Sequence, residues 1–300
     1  TACTLGHEGF GVLLRPPSSS PLCNASTGDV VCWAVAASCT TATCRPCAKG
    51  LPQKCTEIYK YGHEPYGPGT ELSGSYATHV ALRPGTAIAR LCGPSEPLPA
   101  PQALCSVIAC AGATAVAVVR AARGVAGKRV LVFGGGSLGL LTAIAARDAA
   151  AESVTVVDPA PERAAAASAL GFHTEVSGEY EVCIEACGAV QAIPQAVSAL
   201  EVGGVLVIAG LVHPQSQLTQ VTGEQLIRKC LTLVGVHNYA PHDLADAALL
   251  FPEAYRAHSA AFDKAGLGHG VQRFPLSQIA TAFDAAGGTG GRVVLEIGER

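Results

Sequence analysis

The 300-residue chain contains no methionine, a single tryptophan and only 5% aromatic residues. Charge is also scarce: 14% of residues are charged and the net charge is −3. Without a basic excess the chain lacks the electrostatic footprint of a nucleic-acid binder. Low charge with 49% hydrophobic content excludes a disordered segment. No unbroken apolar run reaches the roughly eighteen residues of a membrane span, and no secretory leader is visible. The missing methionine, in a chain that opens almost directly on a motif, predicts that a native N-terminal segment is absent from this sequence.

Cysteine, by contrast, is plentiful. Thirteen residues, an odd number and unevenly spread, point to metal ligands and buried free thiols in a reducing cytoplasm rather than to a disulfide framework. The length is enough for two domains with a substantial core.

The stretch from Lys128 to Asp158 organises the chain. Val130 to Phe133 is a short apolar run read as a buried parallel strand. Gly134, Gly136 and Gly139 follow in G-x-G-x-x-G spacing, then an Ala/Leu-rich helical segment over 138–150. A second strand, Ser153 to Val157, ends in Asp158 about twenty residues beyond the last glycine. Glycines there allow a tight turn and close approach of backbone to a pyrophosphate. The N–H groups at the helix start, around Ser137 and Leu138, face that anion, and the acid suits a ribose 2′-hydroxyl. Strand, glycines, helix, strand and acid together predict a dinucleotide site. Asp158 favours NAD over NADP, because its carboxylate repels a 2′-phosphate.

Two groups have metal-ligand chemistry. Gly6-His7-Glu8 and Gly11 form a G-H-E-x-x-G string, in which His7 offers an imidazole nitrogen and Glu8 a carboxylate beside it. Cys39, Cys44, Cys47 and Cys55 sit in a polar stretch with little apolar core of its own, the setting of a closed tetrahedral zinc site. A second G-H-E string, Gly62-His63-Glu64, lies among Gly, Pro and Tyr and reads as local structure. Arg15 to Pro21 reads as a loop, and strands are expected over 30–37, 72–82, 180–185, 204–211, 231–236 and 292–297. Helices are expected over 191–200 and 223–229, and in the small-residue segment that holds Cys105 and Cys110. Between Leu170 and Tyr180 there is little room for a third strand with its crossover helix, so that sheet edge reads as trimmed.

The motifs GHEGFG (6–11), TGDVV (27–31), the four-cysteine lobe, Cys110, the glycine fingerprint with its aspartate, and IEACG (184–188) together resemble the zinc-dependent medium-chain dehydrogenases/reductases, the alcohol dehydrogenase superfamily. LPQKC (51–55), KYGHE (60–64), LSGSYATH (72–79), GTAI (85–88) and GVHNYAP (235–241) are similar to the alcohol dehydrogenases associated with phosphonate breakdown. The resemblance implies that His7, Glu8 and Cys110 form the catalytic-zinc set and that Cys39, Cys44, Cys47 and Cys55 hold a structural zinc. It also implies that Cys187 and Gly188 join Gly134, Gly136, Ser137, Leu138, Gly139 and Asp158 around the cofactor. Cys105 sits too far ahead of Gly134 to replace Cys110. The family's other zinc cysteine, and the hydroxyl residue that relays the alcohol proton, would precede the first G-H-E string and are not in this sequence. Cys39 and Cys44 also carry two more intervening residues than the family's usual C-x2-C.

The implied fold is α/β: a Rossmann domain at 112–241 with a doubly wound parallel sheet, flanked by a mostly β, GroES-like catalytic domain from 1–111 and 242–300. The active site is expected in the cleft between them. The implied reaction passes a hydride between an alcohol or aldehyde, phosphonate-related in the narrower resemblance, and NAD. A small-molecule substrate and a homo-oligomer are expected, with no nucleic-acid or membrane partner. Two other readings stand beside it: an NAD-binding protein without turnover, its zinc site incomplete, and a zinc-independent quinone-type reductase. With two strong catalytic ligands, the chain as written is expected to bind NAD and turn over alcohols poorly.

Overall fold

A computed structural model describes residues 2–16, 19–39, 41, 43–218, 220–269, 271–286 and 292–298. The chain divides into two compact units, one of residues 1–113 and 239–300, the other of Thr114–Asn238.

The first unit is built around one strand. β1 (Phe10–Val12), β2 (Val30–Ala37), β3 (Tyr59–Lys60) and β4 (Thr86–Cys92) form an antiparallel sheet in which β2 pairs with all three others. Central position explains its unbroken apolar sequence, since seven of its eight residues are buried. Leu13, Val31, Trp33, Tyr61 and Ile88 form the core on this sheet. The short helix α1 (Arg45–Ala48) lies inside the cysteine lobe and buries nothing. The strand expected over 72–82 is not formed. Its N–H groups bond irregularly, Ser75 to the Gly6 carbonyl at 2.8 Å and Tyr76 to the Leu5 carbonyl at 3.0 Å, because the chain bends over 74–78 and Gly6 opposite has a φ of 93°. The loop expected over 15–21 includes positions 17 and 18, which lie outside the described residues.

A helical run follows: α2 (Gln102–Val107), a π-helical turn (Ile108–Gly112) and α3 (Ala113–Ala121). An 18-residue window of this 20-residue run has a mean hydropathy of 2.0, so one segment does reach the length and composition of a membrane span, contrary to the sequence expectation. Within the protein 72% of that window is buried, as in a core helix.

The second unit is a doubly wound α/β layer. Its strands are β5 (Arg129–Phe133), β6 (Ser153–Val157), β7 (Tyr180–Glu185), β8 (Leu200–Ile208) and β9 (Thr232–Gly235). All pair in parallel in the order β6-β5-β7-β8-β9. The linking helices are α4 (Ser137–Asp148), α5 (Pro161–Ala169), α6 (Ala192–Ala199) and α7 (Gly223–Arg228). The trimmed edge has a specific form. A crossover helix, α5, is present after β6, but the third strand is reduced to a single bridge between Thr155 and His173. The chain then returns to the first unit with α8 (Pro241–Lys264), β10 (Gln272–Pro275), α9 (Ile279–Ala286) and β11 (Val293–Glu296).

The turn from β5 to α4 fixes the second unit. A Cβ on Gly139 would lie 1.8 Å from the Gly134 carbonyl oxygen, whereas one on Gly136 would meet nothing within 4 Å. Gly139 therefore serves packing and Gly136 leaves room outside. Gly139→Ala is expected to destabilise the second unit by about 2–3 kcal/mol through backbone overpacking. Gly136→Ala should change stability by about 0.5 kcal/mol or less. Urea unfolding of the two variants checks this, and equal losses would contradict the division of roles.

Candidate metal centres and dinucleotide cradle

The four lobe cysteines converge. Their sulfur atoms all lie within 4.8 Å of one another, with Cys39 3.7 Å from Cys47 and Cys44 3.9 Å from Cys55. A tetrahedral ion with ~2.3 Å bonds to sulfur requires edges of about 3.8 Å, so the donor set fits zinc. Cys39 joins the other three despite its longer spacing from Cys44. Backbone N–H groups of Cys39 and Glu57 point at Cys55 Sγ at 3.2 and 3.3 Å. The thiols do not ionise alike. Hydrogen bonding from the Thr56 backbone lowers Cys44 to about 6, while burial pushes Cys47 up. A cation is what would let four such sulfurs ionise together.

His7, Glu8 and Cys110 form a second group with ligand atoms within 4.8 Å of one another, all three half-buried. Imidazole, carboxylate and thiol are three donors of the kinds that zinc accepts, and a catalytic site keeps its fourth position open. Burial lowers the His7 pKa against the opposing charge of Glu8, and His63 and Lys60 add to the lowering. Burial also raises the Cys110 thiol, and Glu8 raises it further. Cys110 stands in the π-helical turn. Cys3, by contrast, is bridged through its backbone to Pro65 and is not one of the three.

Three side chains around this group were not singled out from sequence. His63 Nε2 lies 3.2 Å from His7 Nδ1, with the rings stacked at 5.1 Å. The local-structure reading holds for Glu64, which accepts from the Lys60 N–H at 2.8 Å, but it omits this His63 contact. The repeated string was the available signal: a Cβ on Gly62 would lie 2.5 Å from the Gly6 carbonyl, so the two G-H-E segments touch through their glycines. Arg292 Nη1 donates to Glu8 Oε2 at 2.9 Å. The Tyr239 hydroxyl donates to the Ala109 carbonyl, one residue before Cys110. Neither has a local sequence signature.

In the second unit, Gly136, Ser137 and Leu138 form a half-exposed lip at the start of α4, and Gly139 is buried behind it. No side chain caps that helix, so its first N–H groups remain available to a ligand. Open space at Gly136 and free donors behind it fit a phosphate group. Asp158 is nearly buried, its side chain 3% exposed. Its oxygens accept from the Gly135 and Ala160 N–H groups at 2.8 and 2.9 Å, and Arg163 Nη1 stands 3.6 Å away. The acid thus braces the glycine turn, a role its spacing did not reveal.

Glu185, fully buried at the end of β7, braces the opposite wall. One oxygen accepts from Cys187 and Gly188 at 2.8 and 2.5 Å, the other from Gly210 and Leu211 at 3.0 and 3.1 Å. An acid directly after the apolar run Val182 to Ile184 was its sequence signal. Cys187 itself is exposed, and a Cβ on Gly134 would lie 2.9 Å from its Cβ.

A family model described as zinc-binding dehydrogenase matches residues 137–252. Among curated proteins, the chain is 28% identical over 205 residues to a D-altritol 5-dehydrogenase of Agrobacterium fabrum, covering 65% of this chain and 57% of that one. It is 26% identical over 248 residues to the galactitol 1-phosphate 5-dehydrogenase of Escherichia coli K12, covering 77% and 66%. The match therefore spans less than two thirds of either relative. Among solved structures, an alcohol dehydrogenase from Thermotoga maritima superposes with a TM-score of 0.84 at 23% identity, covering 99% of this chain and 84% of that one. The architecture is that of a Rossmann domain with a GroES-like domain, and over residues 137–252 the chain is similar to the zinc-binding dehydrogenases.

Replacing Glu185 by Gln turns one acceptor atom into a donor facing two N–H groups. Glu185→Gln is expected to cost about 3 kcal/mol or more in the second unit. NADH binding should weaken with it, and fluorescence titration below the melting range checks this. Unchanged affinity would show that the 187–188 and 210–211 turns do not form the cradle wall.

Proposed function

We propose that this protein is a zinc-dependent oxidoreductase that transfers a hydride between a small alcohol or aldehyde and NAD. The convergence of His7, Glu8 and Cys110 carries the reading, because Cys110 is remote in sequence from the adjacent His7 and Glu8 and shares no structural task with them. His7, Glu8 and Cys110 would hold the catalytic zinc, and Cys39, Cys44, Cys47 and Cys55 a structural one. A zinc ion in the first site supplies Lewis acidity toward a substrate oxygen, and a bound nicotinamide supplies the hydride acceptor.

The chain's own groups orient these partners. With Nε2 as its ligand atom, His7 keeps its proton on Nδ1 and donates it to His63 Nε2, which fixes the ring. Gly136 and the uncapped start of α4 receive the pyrophosphate, and Asp158 offers its remaining lone pairs to the ribose. The carboxylate supports NAD over NADP, although Arg163 beside it softens that preference. Polyols are the first substrates to try, given what the two curated relatives act on, and phosphonate-bearing alcohols follow from the sequence resemblance. Thirteen free thiols support a cytoplasmic setting. The outer edge of β9, unpaired among the described residues, supports a homo-oligomer.

A second reading, NAD binding without turnover, has one observation in its favour. Glu8 is held by Arg292, which leaves His7 and Cys110 as the two ligands not engaged in an ion pair. A quinone-type reductase has no use for either donor cluster.

Adding a polyol panel with NAD to zinc-loaded protein should raise the NADH absorbance, and chelation should abolish the rise. Asp158→Asn should reduce the NADH-over-NADPH preference by about tenfold, as expected for a lost ribose bond of ~1–1.5 kcal/mol. NADH binding with no turnover on any alcohol would select the second reading. An unchanged cofactor ratio would remove Asp158 from the ribose.

A further inference from the structure

Tyr239 belongs to the GVHNYAP segment, which the dinucleotide and metal sites leave unused. Its side chain is 5% exposed, yet the hydroxyl is fully engaged. It accepts from the Val35 N–H of β2 at 3.1 Å and donates to the carbonyl of Ala109. Ala109 lies in the π-helical turn Ile108–Gly112, directly before Cys110. One phenol therefore ties the central strand of the sheet to the turn that carries the thiol.

A π turn inserts one extra residue into a helix, disturbs the regular i→i−4 ladder, and often marks a functional position. A cross-link from outside the helix opposes its relaxation to regular α-helix. Such a relaxation would rotate every following residue by roughly 100° about the axis. Packing bears on the turn as well: a Cβ on Gly112 would approach Phe251 of α8 at 3.1 Å, but that contact has no directional bond. The hydroxyl, with one bond accepted and one donated, is directional at both ends.

We propose that Tyr239 is a positioning residue for the catalytic metal: its hydroxyl holds the π turn so that Cys110 faces His7 and Glu8. The inference rests on the zinc reading of those three residues, and it concerns the metal site, not turnover.

The test uses the whole chain, stripped of metal and titrated with cobalt(II), whose thiolate charge-transfer and ligand-field bands report each site separately. Cys110→Ala identifies the bands of the second site. Tyr239→Phe should retain the four-cysteine site with unchanged affinity. At the second site it should bind about ten- to a hundredfold more weakly, with a diminished thiolate band, as loss of an outer partner does at other metal sites. Phe262→Leu is the control for general destabilisation, since that buried ring lies on α8 and contacts Tyr255. It should lower the melting temperature and leave both cobalt sites intact. Unchanged second-site affinity and spectrum in Tyr239→Phe overturns the proposal. Equal weakening in Phe262→Leu also overturns it, by assigning the effect to stability. If Tyr239→Phe behaves as expected while the parent oxidises no alcohol, the positioning role stands and the catalytic reading fails alone.

Discussion

The Gly134 carbonyl and the α-carbon of Gly139 approach so closely that no side chain fits between them. This contact sets the second unit, because it brings the start of α4 against the end of β5 and leaves Gly136 facing open space. The other features of the cradle follow from it. The Gly135 N–H turns toward Asp158, Cys187 abuts Gly134, and Glu185 ties the loop after β7 to the loop after β8. Two buried carboxylates thus hold two sides of one glycine turn, each by accepting backbone N–H groups that would otherwise be unpaired.

The first unit solves a different problem. Apart from Cys47 in α1 and Cys110 in the π turn, its donor groups stand on irregular backbone, which has no ladder to fix it. Position comes from close approaches, Gly62 on Gly6 and Gly74 on Leu5, and from bonds to distant residues, Arg292 to Glu8 and Tyr239 to Ala109. The cysteine lobe has still less. Its one helix buries no residue, so four converging thiols are its main internal constraint. An ion there would contribute folding energy as well as geometry.

Much of the second unit was legible because its signals are local. Periodicity and glycine spacing place β5, α4 and β6 within a residue or two, and the acid after β6 follows from the same pattern. The expected strand over 72–82 failed because alternation alone cannot show that the chain bends over 74–78, opposite a Gly6 in left-handed conformation. Convergence in the lobe was suggested by four cysteines in one short polar stretch, whereas the meeting of Cys110 with His7 and Glu8 was suggested by the resemblance alone. Tyr239 and Arg292 were not legible as site-shaping residues, because each acts on a carbonyl or carboxylate fixed only by the fold, and Glu185 left only the hint of an acid after an apolar run. His63 was nearly legible, since its string duplicates that of His7, but a repeat in sequence says nothing about contact in space.

The central claim is that two zinc ions are held by these two donor sets. Anomalous diffraction from a zinc-loaded crystal, collected on both sides of the zinc edge, tests it most directly. The account predicts two peaks per chain: one ~2.3 Å from the sulfurs of Cys39, Cys44, Cys47 and Cys55, and one bound by His7, Cys110 and Glu8. A peak in the lobe alone, with Glu8 still on Arg292 and no density between His7 and Cys110, would contradict it.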